Sequence, residues 1–150
     1  YALGLFLVLF YYNFRDPAYS YLQQKLLTVR WFGVLQRIGL VYFCTLLIVL
    51  YGGTRGRVFW LVGLCAVYFA LMQFMPYSDA QGNHFVGLWD FGNSFAAWLD
   101  HMLLGANHVY FRTATPFAFD PEGLLSTLPA IASCWISVRA AARVFSTMVN

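Results

Sequence analysis

Two uninterrupted apolar runs, Phe32–Tyr51 and Val58–Tyr77, constrain this chain more than anything else in it. Each has 20 residues, enough for an α-helix to cross about 30 Å of hydrocarbon. The first holds a single charged group, Arg37, and the second holds none. Between them lies only Gly52-Gly53-Thr54-Arg55-Gly56-Arg57. In lipid, backbone N–H and C=O groups must pair within their own segment. Two such runs on a short Gly-rich connector therefore predict a membrane-spanning helical hairpin.

Composition extends the argument to the whole chain. Of 150 residues, 61% are apolar and 10% charged, against about 45–50% and about 25% in a soluble domain. Disorder is excluded, because it needs low hydrophobicity and high charge. A net charge of +3, without a basic patch, argues against a nucleic-acid partner. The reading is all-α: a polytopic transmembrane helix bundle fragment of about three to four spans, forming part of one integral-membrane domain over 1–150. Its first partner is the lipid bilayer, and self-association into a homo-oligomer is open.

The remaining segments follow from charge and breakers. Residues 1–14 carry no charge, lack a basic n-region and cleavage site, and are too short to span. They are expected to be the back half of a span, and the chain an internal piece of a longer protein. Residues 15–30 read as a polar connector broken at Asp16-Pro17. Spans are expected at 32–51, 58–77 and 121–138, the last short enough to need Arg139 to snorkel. Arg55, Arg57, Arg139 and Arg143 crowd one side, which the positive-inside rule makes cytoplasmic. The acidic loop 78–120 then faces the other compartment.

Within that loop, Asn93 or Ser94 caps an expected helix 93–104 that stops at Gly105. Phe95, Trp98, Leu99 and Met102 share one face; Asn93, Ala97, Asp100 and His101 share the other. This suits an interfacial helix whose polar stripe faces water or a substrate pocket. His108 is either a polar loop residue or a base and hydrogen-bond partner for substrate. In Asp120-Pro121-Glu122-Gly123, Asp120 reads as a helix cap, Pro121 as the first helical residue and Glu122 as a complement to the helix dipole. Both acids alternatively sit at a pocket mouth. Pro129, two turns into that helix, is expected to kink it.

Arg37, beside Gln36 and flanked by Gly33 and Gly39, either snorkels or faces the bundle interior. Its candidate partners are Asp100, Asp120, Glu122 or a ligand phosphate. Cys44, Cys65 and Cys134 lie far apart in apolar runs, without metal-ligand spacing. No nucleotide-binding, HExxH or GxSxG pattern occurs.

Three stretches resemble one family. Arg30-Trp31-Phe32-Gly33-Val34-Leu35-Gln36-Arg37-Ile38-Gly39 resembles an RxxGVLQRI segment. Ala96-Ala97-Trp98-Leu99-Asp100-His101-Met102-Leu103-Leu104-Gly105, followed by His108-Val109-Tyr110, resembles AAxxIDRxLLG…HLY. Residues 120–131 resemble DPEGLLSTLPAI. Together, and in this order, they resemble the heparan-alpha-glucosaminide N-acetyltransferase family of membrane acyltransferases. Trp31-Phe32 stand where that family usually has Ile-Pro, His101 where it has Arg, and the likeness ends at Ala132. The resemblance implies transfer of acetyl from acetyl-CoA, across a bacterial inner or lysosomal membrane, to an amino sugar or other glycan acceptor. It places the catalytic histidine upstream of Tyr1, so none of His84, His101 or His108 takes that role. Gln36, Arg37, Asn93, Asp100, His108, Asp120 and Glu122 are the substrate-binding candidates; no metal is implied. A transporter or channel segment and a structural membrane subunit are the competing readings.

Overall fold

A computed structural model describes residues 1–10 and 20–149. It is mostly helical, with three helices long and apolar enough to cross a membrane: Val34–Tyr51 (α3), Thr54–Phe74 (α4) and Thr127–Val149 (α6). Helix α1 covers Ala2–Phe10, α2 is the single turn Tyr21–Gln24, and α5 covers Phe95–Leu104. The end of the 1–14 segment and the Asp16-Pro17 breaker lie outside the described residues.

The hairpin turn is tighter than the sequence implies. Helix α4 begins at Thr54, so only Gly52 and Gly53 connect it to α3. A Cβ on Gly52 would collide with the Ile48 carbonyl oxygen, and glycine removes that obstacle. Arg57, now inside α4, turns back and donates from Nη2 to Val49 O at 2.6 Å. A guanidinium thereby meets one of the carbonyls that the last turn of α3 leaves unpaired.

The hairpin helices touch each other little; α6 packs against both. It runs alongside α3 in the same direction, with Arg37 bonded to Ser126 O and Thr45 Oγ1 to Ile131 O. It opposes α4, because Met72 near the end of α4 packs in one core with Leu125. The ends carrying Arg55 and Arg57, and Arg139 and Arg143, therefore lie on the same side. Helix α1 crosses α3 where Gly39 admits the Tyr1 backbone and Gly4 admits the Gln36 side chain. Small residues at a crossing let backbones approach, which is how helices pack without a hydrophobic drive between them.

The span expected at 121–138 is shifted. Residues 121–126 form turns, and α6 starts only at Thr127. Pro121 is therefore not the first helical residue, and Asp120 does not cap this helix. Pro129 falls in the first turn of α6 rather than two turns in. There its missing N–H is one of the amides that lack an intrahelical partner anyway, so the cause of the expected kink disappears.

Most burial is not between the long helices. Only 17% of α3 and 6% of α4 is buried within the chain, leaving rows of Leu, Val, Phe and Trp side chains outward. The core instead lies beneath the 75–126 segment: Met72, Tyr77, Phe95, Ala97, Phe117 and Leu125 are all buried together. Tyr77 is its hub, with ring centroids 5.6 Å from Phe85, 6.3 Å from Phe95 and 5.8 Å from Phe117. Two short antiparallel pairs, Tyr77–Ser78 with His84–Phe85 (β1, β2) and Trp89–Asp90 with Asn93–Ser94 (β3, β4), build the segment's walls. The acidic loop of the sequence is thus a folded cap over one end of the helices.

Candidate functional site

Ser94 caps α5, its Oγ accepting from Ala97 N at 3.2 Å, and Gly105 ends it at φ +77°. A positive φ there suits glycine, which lacks the Cβ that obstructs the left-handed region. The helix buries residues from both faces: Phe95 of the apolar face and Ala97 and Asp100 of the polar one, while Met102 is 64% exposed. Trp98 and Leu99 also pack against the core.

Asp100 explains the burial on the polar face. Its Oδ1 accepts from Leu124 N at 3.1 Å and its Oδ2 from Asp120 N at 3.3 Å. One carboxylate thereby supplies partners for two amides of the 120–126 turns, which no helix satisfies. Gly123 packs flush on this carboxylate, and any Cβ there would overlap it. Burial pushes the Asp100 carboxyl up to about 6, against the two amides that favour its charged form.

Asp120 is the second anchor, with a fully buried side chain. Its Oδ1 accepts from Glu122 N at 2.9 Å in an Asx-turn, and its Oδ2 from Tyr110 N at 3.1 Å. Arg30 forks onto both oxygens through Nε and Nη2, each at 2.5 Å, and Nη2 also reaches Glu122 Oε2. The hydrogen bond to Asp120 leads in holding the Arg30 charge more firmly than usual, opposed by burial. The guanidinium lies 4.8 Å over the Tyr110 ring. Arg30 is the residue that sequence reasoning left out of the site. Its one signal was its place at the head of the RxxGVLQRI-like stretch.

Arg37 faces this turn, but its partners are not the expected carboxylates. Nη2 donates to Ser126 O at 2.9 Å and Nη1 to Pro121 O at 3.3 Å. Ser126 Oγ and Thr127 Oγ1 donate to Gly123 O, each at 3.0 Å. Gln36 is buried in the α1–α3 crossing, and its amide nitrogen has no hydrogen-bond partner among the described residues. His108 Nδ1 lies 2.6 Å from Val29 O. A carbonyl can only accept, so Nδ1 carries a proton and Nε2 stays outside that contact.

Six of the seven candidates thus gather around the ends of α3 and α6. The seventh, Asn93, does not join them: its Oδ1 accepts from the Tyr77 hydroxyl at 3.1 Å, within the β-hairpin core. Asp100, Asp120 and Arg37 spend their polar atoms on the chain itself. Glu122, with 23% of its side chain exposed, and His108 keep atoms for other partners. Set against known protein families, curated proteins and solved structures, the chain matches none of them.

Proposed function

We propose that this chain is part of a membrane-embedded acyltransferase that passes an acetyl group from acetyl-CoA to an amino sugar or related glycan acceptor. One observation carries the reading. The three stretches that resemble the heparan-alpha-glucosaminide N-acetyltransferase family are far apart in sequence, yet they meet in one cluster. Arg30 and Arg37 come from the first, Asp100 and Tyr110 from the second, Asp120 and Glu122 from the third, and each bonds directly to the third.

The chemistry is consistent with an acceptor site. The end bearing Arg55, Arg57, Arg139 and Arg143 is cytoplasmic in this reading, and the cap with its carboxylates is extracytoplasmic. Asp100 and Asp120 fix the shape of the 120–126 turns; Glu122 and His108 face the acceptor. Acetyl-CoA enters from the basic side, and the catalytic base lies in a span preceding Tyr1. A carboxylate that accepts charge-assisted hydrogen bonds from an ammonium or hydroxyl orients it strongly.

The test is transfer of radiolabelled acetyl from acetyl-CoA to glucosamine by the full-length protein, purified and reconstituted in lipid. Labelled N-acetylglucosamine is the expected product. A folded, monodisperse preparation that transfers no label overturns the proposal.

A further inference from the structure

The crossing of α1 and α3 holds a cavity that the acyltransferase reading does not use. Its volume is about 290 Å³, and it is bounded by Gly4, Leu7 and Val8 of α1 and by Gly33, Val34 and Gln36 at the start of α3. Gln36 is 2% exposed, and its amide nitrogen meets no acceptor among the described residues. A buried donor left unpaired costs stability unless something else accepts from it. Two glycines seat the amide at the cavity wall. A Cβ on Gly33 would stand 2.6 Å from Gln36 Oε1, and one on Gly4 would stand 3.0 Å from Gln36 Cδ. Both glycines and Gln36 line the same space, so the carboxamide borders the cavity rather than the packed side of α3.

From this arrangement we infer that the cavity takes one acyl chain of a membrane glycerolipid, with an ester carbonyl of that lipid accepting from Gln36 Nε2. Water and phosphate fit the site less well. A water molecule takes up about 30 Å³ and needs about two to four polar partners, whereas Leu7, Val8, Val34 and Leu35 make most of the wall apolar. Arg30 also borders the cavity, but its Nε and Nη2 are given to Asp120 and Glu122. A phosphate there would meet those carboxylates at close range. An ester carbonyl brings no charge and asks for a single donor, which Gln36 supplies. Entry is from the bilayer, because Leu7 is 52% and Val34 54% exposed on the apolar surface of the helices. Depth agrees as well. Helix α3 has 18 residues, and at 1.5 Å per residue it is about 27 Å long, close to the hydrocarbon thickness. Gln36 lies two residues inside the cap-side end of α3, about 3 Å deep. The ester groups of a glycerolipid join its chains to its headgroup at that boundary. The inference stands whatever reaction the chain supports.

The experiment compares a diester phosphatidylcholine with the diether lipid of the same headgroup and chain length, which has no carbonyl. Each competes with a fluorescent phosphatidylcholine for the delipidated full-length protein in detergent. Wild type is expected to hold the diester about fivefold more tightly than the diether, the ratio that one hydrogen bond of ordinary net strength gives. Gln36→Leu keeps the size of the side chain and removes the donor. It is expected to bring the two lipids within about twofold of each other, by weakening the diester alone. Leu7→Trp fills the cavity and leaves Gln36 in place. It is expected to weaken the diester and to abolish the preference. A wild type that binds the two lipids alike overturns the inference, whether water, another helix or a second copy occupies the site. An ester preference that survives in Gln36→Leu overturns it too. Should Gln36→Leu not fold, Leu7→Trp decides: loss of the preference supports the lipid site, and its persistence overturns it.

Discussion

Arg30 and Asp120 stand 90 positions apart in the chain, and the guanidinium of one forks onto both carboxylate oxygens of the other at 2.5 Å. This pair ties the start of α3 to the turns before α6. Because the Asp120 side chain is fully buried, removing its partner strands an ionised carboxylate away from water. Breaking such a pair costs about 3–5 kcal/mol. Arg30→Met is expected to destabilise the protein by that order, read from chemical or thermal unfolding in detergent. Arg30→Lys is expected to recover only part of the loss, since an ammonium cannot make two parallel bonds. A double-mutant cycle with Asp120→Asn isolates the coupling; equal losses in Arg30→Met with and without Asp120 would show that the fork contributes nothing.

Gly123 and Asp100 form the tightest seam in the cap. A methyl group at Gly123 must displace the Asp100 carboxylate, and with it the bonds to Leu124 N and Asp120 N. Overpacking typically costs about 1–3 kcal/mol, and two unpaired buried amides add to that. Gly123→Ala is expected to lower stability by at least about 2 kcal/mol, and to speed amide exchange at Leu124. Wild-type exchange at that amide would refute the seam.

What could be read in the sequence divides along physical lines. The two long apolar runs announced their helices because only length and hydropathy were needed. The start of α6 did not show, since Asp120-Pro121-Glu122 satisfies every local rule for a helix start. Those rules lost to Asp100 and Arg37, which pair the 120–126 backbone groups from other elements. The inward side of α5 was half legible for the same reason: apolar spacing found Phe95, which is buried, but also chose Met102, while a buried carboxylate needed to face the turns. Arg30 went unnoticed because nothing local marks a residue whose partner lies 90 positions away.

Pro129 gives a simple check on that revised helix start. It occupies the first turn of α6, where no helical hydrogen bond is lost to it. Pro129→Ala is expected to change stability by less than about 1 kcal/mol and to leave the contact between Thr45 and Ile131 in place. A gain of several kcal/mol, as expected on relieving a mid-helix proline, would return the helix start to Pro121.

Asp100 also sets a pH dependence, with a sign opposite to that of most carboxylates. Its folded value is about 6 and its ordinary value 3.8, so between those limits the folded state holds more protons than the unfolded one. Stability from this group is therefore greatest in acid, falls as pH rises from about 4 to about 6, and stays reduced above that. The two values imply roughly 3 kcal/mol across the window. Asn at this position removes the titrating group, but its NH2 meets one of the two turn amides and cannot accept from it. Asp100→Asn is thus expected to be less stable than wild type near pH 4, with the deficit shrinking as pH rises to about 6. The difference between the two stability curves measures this directly, and a flat difference across pH 4–7 would remove burial as the dominant influence on Asp100.

The shared direction of α3 and α6 makes a final prediction about sidedness. Arg37 meets Ser126 and Thr45 meets Ile131, so both helices leave the cap together and reach the opposite end together. That end holds Arg55 and Arg57 at the hairpin turn, and Arg139 and Arg143 on α6. In a bilayer, the cap and these four arginines must then lie in different compartments, whatever the chain's activity. With Cys44, Cys65 and Cys134 replaced by Ala, a single cysteine at Asp90 is expected to react with a membrane-impermeant maleimide from outside intact cells. Single cysteines at Arg55 or Arg143 are expected to react only after permeabilisation. If Asp90 and Arg55 label from one side, α4 does not cross the membrane, and the parallel course of α3 and α6 serves some purpose other than spanning it.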